Sequence, residues 1–100
     1  MEKKIKKEIE KQLKSPTGAF TSLIAAYAES VKGTEKAVLL RRFYKERRGY
    51  MACMRELNRS GFFLEKTTFY RIKSDIVIDV AMLACYDHLI CPYSDATQQI

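Results

Sequence analysis

Twenty-five consecutive residues, Phe62 to Tyr86 (FFLEKTTFYRIKSDIVIDVAMLACY), do most to limit what this chain can become. Within them Phe69, Ile72, Ile76, Val80 and Leu83 recur at steps of three and four, the spacing of one buried stripe on a long helix. The first two turns of that helix carry Lys66, Thr67, Thr68, Tyr70, Arg71, Lys73 and Ser74, hydrogen-bond donors and cations that lie off the stripe. The beginning is therefore suited to touching something outside the fold, and the end to anchoring in a small core.

A chain of 100 residues can bury one modest core, so a single domain over residues 1–92 is expected, with 93–100 as a loosely attached tail. With 47% hydrophobic and 30% charged residues, wholesale disorder is disfavoured. Only 2 Pro and 4 Gly interrupt a sequence rich in good helix formers, which predicts an all-α fold. The architecture expected is a small bundle of four to five helices, containing a helix-turn-helix-like pair and a long C-terminal helix.

Charge is unevenly placed. Residues 1–60 hold 15 Lys and Arg against 7 Asp and Glu, whereas residues 61–100 hold 3 against 5. The basic excess sits in the first helices, and a field of that sign attracts polyanions such as nucleic acid or an anionic membrane surface. Cys53, Cys85 and Cys91 form no CxxC pair, and His88 stands near only two of them, so neither a disulfide framework nor a four-ligand zinc site is indicated. A reducing cytoplasm fits this usage best. The opening MEKKIKKEIEKQLK has no continuous apolar core of the kind a signal peptide needs. The longest apolar run, Ile76 to Tyr86, contains Asp79 and is well short of the ~20 residues that span a bilayer, so no membrane insertion is expected.

Taken in order, residues 2–14 read as a basic helix with Ile5, Ile9 and Leu13 on a narrow stripe flanked by six lysines. The plain reading is a solvated helix resting by one edge; the sharper ones are an arm on phosphate or a surface for a second copy. Ser15 and Pro16 look like the cap and first residue of a second helix, whose Phe20, Leu23, Ile24, Tyr27 and Val31 form a stripe ended by Gly33. Thr34 caps a third, with Val38, Leu39 and Phe43 inward and Arg41, Arg42, Lys45, Arg47 and Arg48 as the densest cationic cluster. That cluster is either a solvated face or a set of phosphate contacts. Gly49 permits a break before a fourth helix with Tyr50, Cys53, Met54 and Leu57 inward, closed near Gly61. Phe62, Phe63 and Leu64 should then plug the corner, with Leu64 and Phe69 as a hydrophobic staple if Glu65 caps the last helix; Thr67 is the competing cap.

Catalysis finds little support. Cys85, Asp87 and His88 are neighbours without a third group to orient them, and Asp75 and Asp79 read as solvated helix charges. No phosphate-binding glycine loop is present, so neither an enzyme nor a cofactor is expected. A helix, a turn containing Gly61 and a second helix opening with polar side chains is, by contrast, the layout of a helix-turn-helix, which inserts the start of its second helix in the major groove. There Arg71 and Lys66 can reach guanine edges or phosphate, Thr67, Thr68 and Ser74 can bond to either, and Tyr70 can pack on a sugar.

The segments Met54-Arg55-Glu56-Leu57, Thr67-Thr68-Phe69-Tyr70-Arg71-Ile72-Lys73, Ile76 and Val80-Ala81 resemble the C-terminal part of ArpU/RinA-like phage transcriptional regulators. Those proteins end in a helix-turn-helix similar to region 4 of sigma-70 factors. The resemblance spans about residues 38–86, and its specific portion is the TFYRIK stretch; the turn from Asn58 to Leu64 is longer than the usual helix-turn-helix connection. It implies a phage or prophage regulator of transcription that binds promoter DNA, carried by Thr67, Thr68, Tyr70, Arg71 and Lys73. Partners expected on this reading are duplex DNA, RNA polymerase and a second copy of the chain, with Ile5, Ile9 and Leu13 or Val77, Ile78 and Met82 as the self-association surface. The alternative is a small helical module that docks its basic cluster on an acidic host or polymerase surface.

Overall fold

A computed structural model describes residues 2–90. Among them the chain forms five helices: α1 (Lys3–Lys14), α2 (Ala19–Ser30), α3 (Glu35–Leu39), α4 (Tyr50–Arg59) and α5 (Lys66–Tyr86), with no strand. From Leu40 to Lys45, α3 continues as a π-helical turn. The organising element is α5, which packs against α1, α2 and α3, while α4 rests on α3 and the π-helical turn. Expectations for Cys91, Pro92 and residues 93–100 lie outside the described residues.

The apolar stripe of α5 is buried as its spacing predicts at Phe69, Ile72, Ile76 and Val80, but Leu83 is 43% exposed. A helix flanked by α1 on one side and α2 and α3 on the other needs a wider apolar face than a single stripe, and Val77, Ala81 and Ala84 supply it. Ala81 and Ala84 are buried near the end of the helix, where Leu83 is turned outward. Val77 is thereby withdrawn from the self-association surface, while Ile78 and Met82 remain exposed.

Helix α1 rests on the domain by one edge, as its narrow stripe predicts, with its six lysines exposed. Ile5, Ile9 and Leu13 are all buried against α5 and the π-helical turn, so they belong to the core and are unavailable to a second copy. Helix α2 begins three residues later than predicted, at Ala19 instead of Pro16. The cause is Gln12, buried at the end of α1. Its side-chain carbonyl accepts the Thr17 backbone N–H (2.8 Å) and hydroxyl (3.2 Å), and its amide donates to Glu8 (2.9 Å), which holds 15–17 as a turn. Gly18, at φ +54°, then turns the chain into α2, while Ser15 closes α1. Thr34 does occupy the cap position of α3, but its hydroxyl donates back to the Val31 carbonyl (2.6 Å) instead of accepting from the helix.

Two helices end in the same hydrogen-bonded motif. After α4, Phe62 N–H donates to the Leu57 carbonyl (2.8 Å) and Gly61 N–H to that of Asn58 (3.1 Å), with Gly61 left-handed at φ +89°. After α5, Leu89 N–H donates to Ala84 (2.8 Å) and His88 N–H to Cys85 (3.0 Å), with His88 in the left-handed position at φ +61°. Beyond Gly61, Phe62 and Leu64 pack on the core as a plug should, whereas Phe63 is 79% exposed. Glu65 is the cap residue of α5, which puts Leu64 and Phe69 at the two positions of the staple.

The largest departure from the sequence reading is Asp79. It is no solvated helix charge, because it accepts the Tyr27 hydroxyl (2.5 Å) and the Lys36 ammonium (2.7 Å), joining α5 to α2 and α3 at one point. No described helix is long and apolar enough to cross a membrane.

Candidate nucleic-acid interface

The start of α5 is fixed from beneath by an aromatic cluster. Phe69 is fully buried and meets Phe43, Tyr50 and Tyr70 edge-on, with ring centroids 6.0, 4.9 and 5.3 Å away. Tyr50 in turn lies parallel to Tyr70, 3° between planes and 6.0 Å between centroids. Since Tyr50 opens α4 directly after Arg47, Arg48 and Gly49, these contacts bring the start of α5 beside the end of the cationic segment. The helix-turn-helix-like pair therefore meets chiefly through aromatic side chains at the two N-terminal ends.

Above this base the predicted contact residues separate into two rows. Lys66, Tyr70 and Lys73 lean over the aromatic rings: Lys66 Nζ is 6.0 Å from the Tyr50 centroid, and Lys73 Nζ is 4.7 Å from that of Phe43 and 5.9 Å from that of Tyr70. A cation so placed is attracted to the ring faces while keeping its charge near solvent. Thr67, Arg71 and Ser74 form the second row and are exposed; Thr68 is half-buried. No carboxylate occurs between the Glu65 cap and Asp75, so the first two turns of α5 present hydroxyls and positive charge.

The cationic cluster of residues 41–48 is less available than its composition suggests. Glu56, on α4, accepts Arg42 Nη2 (2.8 Å) and Nε (3.2 Å) and Arg41 Nη2 (3.2 Å). Glu46 accepts Arg42 Nη1 (2.8 Å) and pairs with Arg48 Nε at 3.4 Å. Hydrogen bonding to Arg42 first of all holds both glutamates below the usual carboxylate range, and the same bonds, that to Glu56 leading, raise the Arg42 guanidinium. Arg47, left-handed at φ +55°, donates to the Ser15 hydroxyl (3.1 Å) and ties this segment to the end of α1. Among the described residues Lys45 makes no ion pair and stays exposed.

Reasoning from the sequence passed over Arg55 and Arg59. Both are exposed on the outer face of α4, where they join Arg42 and Arg48 around a cavity of about 300 Å³. The available signal was their four-residue spacing on a helix whose opposite side is apolar. Among the described residues no three His, Cys, Asp or Glu side chains gather as a metal site would require. His88 takes its place in the terminal turn of α5, exposed to solvent.

Compared with protein-family models, curated proteins and solved structures, the chain matches none.

Proposed function

We propose that this protein binds duplex DNA as a regulator of transcription, with the first turns of α5 entering the major groove and the basic surface of residues 41–48 lying on phosphate. The observation that carries the reading is the exposed row of Thr67, Arg71 and Ser74 beside Lys66, Tyr70 and Lys73, two turns without a carboxylate that follow the Glu65 cap and are braced by Phe69. An α-helix fits the major groove, and a guanidinium there can bond bidentately to a guanine edge. The resemblance to phage regulators of the ArpU/RinA type agrees with this placement.

The test is fluorescence anisotropy of labelled random duplex DNA across a salt series. Binding should weaken steeply with salt, by about −0.9 in log–log slope for each phosphate neutralised. Arg71→Ala should cost roughly 1–3 kcal/mol if the side chain reads a base. Unchanged affinity after removal of both Arg71 and Tyr70 overturns the assignment of α5.

A second reading, docking on an acidic protein such as a polymerase surface, draws on a groove of about 420 Å³ between α1, α2 and α3. Its floor includes Leu13, Ile24 and Leu40, and Lys14, Arg41 and Lys45 stand at its rim without a carboxylate among the lining residues. Recovery of a protein partner together with absence of DNA retention at low salt would favour it.

A further inference from the structure

Helix α4 carries a feature that folding does not call for. Arg55 and Arg59 are four residues apart on one exposed face, a like-charged pair that weakens a helix slightly. Arg59 gains something from the negative end of α4 and touches Glu56 at 4.0 Å, but Arg55 has neither compensation and no ion-pair partner among the described residues. These two side chains meet Arg42 and Arg48 around the cavity of about 300 Å³, with Ala52 leaving its floor open. Glu56 is the one carboxylate of the lining, and Glu46 reaches two of the arginines from the rim. Four arginines thus line one concavity in which the internal carboxylates hold Arg42 and Arg48, reach Arg59 only at 4.0 Å and leave Arg55 without an ion pair among the described residues.

We propose that this arginine cup is a phosphate-binding site, taking a phosphoryl group between Arg48, Arg55 and Arg59 while Arg42 supports it from behind. Guanidinium forks match phosphate oxygens two at a time, which distinguishes such a cup from a general cationic field. The group can belong to the phosphodiester backbone of a nucleic acid or to a terminal or free phosphate. The cup stands on α4 and does not depend on α5 reading DNA, although Arg42 and Arg48 also belong to the surface assigned to phosphate above.

The full chain is titrated with sodium pyrophosphate at constant ionic strength, chloride replacing it in the control, while the arginine side-chain Nε–H resonances are followed by NMR. Saturable shifts of Arg48, Arg55 and Arg59, absent in chloride, are expected. The double variant Arg55→Gln/Arg59→Gln, exposed on both counts and checked for native helix content by circular dichroism, should bind about tenfold more weakly or worse. Thr67→Ala/Arg71→Ala should leave the titration unchanged, so a failure of the α5 assignment and a failure of the cup are separable. A short oligonucleotide with and without a 5′-phosphate identifies the source: equal shifts indicate backbone diesters, and stronger shifts with the 5′-phosphate indicate a terminal group. Shifts no larger than in chloride, or full affinity in the double glutamine variant, overturn the proposal.

Discussion

At the scale of single residues, the side chains hardest to foresee are polar ones whose partners lie far away in sequence. Asp79 is four residues from Asp75 and looks like any helix charge, yet its partners Tyr27 and Lys36 are on two other helices. Burial, and then the bond to Asp79, pushes the Tyr27 phenol far above its ordinary range. Asp79→Ala leaves that buried hydroxyl without its acceptor, and a loss of about 1–2 kcal/mol is expected in urea unfolding, the half-exposed Lys36 pair adding little. Gln12 and Glu56 were equally hidden, because a sequence does not state which amide or carboxylate will face inward. His88 is the converse case, a residue in a conformation that favours glycine. His88→Gly should raise stability by roughly 0.5–1 kcal/mol, read as a rise of a few degrees in Tm, since it removes left-handed strain without breaking either bond of the terminal turn.

At the scale of elements, the start of α5 is held by rings, and α4 and α5 depend on each other there. Tyr50→Ala would delete contacts with Phe69, Tyr70 and Lys66 at once. We expect a loss of about 2–3 kcal/mol, aromatic pairs contributing beyond their buried area. Amide exchange should quicken over residues 66–72 more than over 76–84, where Ile76, Val77, Val80, Ala81 and Ala84 are buried. Equal acceleration along the whole of α5 would show that Tyr50 supports the core in general and not the exposed opening. The helices themselves were readable, because apolar steps of four in Ile5-Ile9-Leu13 or Cys53-Leu57 are a direct consequence of burying one face. The π-helical turn at Leu40–Lys45 was not, since its wider winding shows only as the burial of Leu40 and Tyr44, each one step past the predicted Leu39 and Phe43. For the candidate interface, Lys66, Tyr70 and Arg71 were legible as a polar helix start. The neutralisation of Arg41 and Arg42 by Glu56 was not, because it depends on α4 returning that carboxylate to the cationic segment.

At the scale of the whole molecule, the titrating groups bound the pH range in which the fold is stable, and the two limits have different causes. On the acid side, Glu46 and Glu56 are held below their ordinary value of 4.5, chiefly by Arg42. Groups depressed in the folded state contribute stability that is present above their unfolded value and lost as pH falls through the folded one. Protonating them also releases Arg41, Arg42 and Arg48 into a chain that is already basic, which adds repulsion to the lost bonds. On the alkaline side, Tyr27 and Tyr44 are raised above the ordinary 10.0, Tyr27 by burial and Asp79, Tyr44 by burial beside the charge of Glu10. Their stabilising contribution is complete below the unfolded value and disappears as pH climbs towards the folded ones. Urea midpoints should therefore be flat across neutral pH, fall below about pH 4.5 and fall again from about pH 9 to 10 upward, the buried Cys53 thiol starting the decline and the two phenols continuing it. Tyr44→Phe should blunt the alkaline fall while costing little at neutral pH, because the Tyr44 hydroxyl finds no partner among the described residues. An alkaline limb of unchanged steepness in Tyr44→Phe, with the acid limb also intact, would leave the cause to Tyr27 with its bond to Asp79 and to the buried Cys53 thiol, which burial also raises.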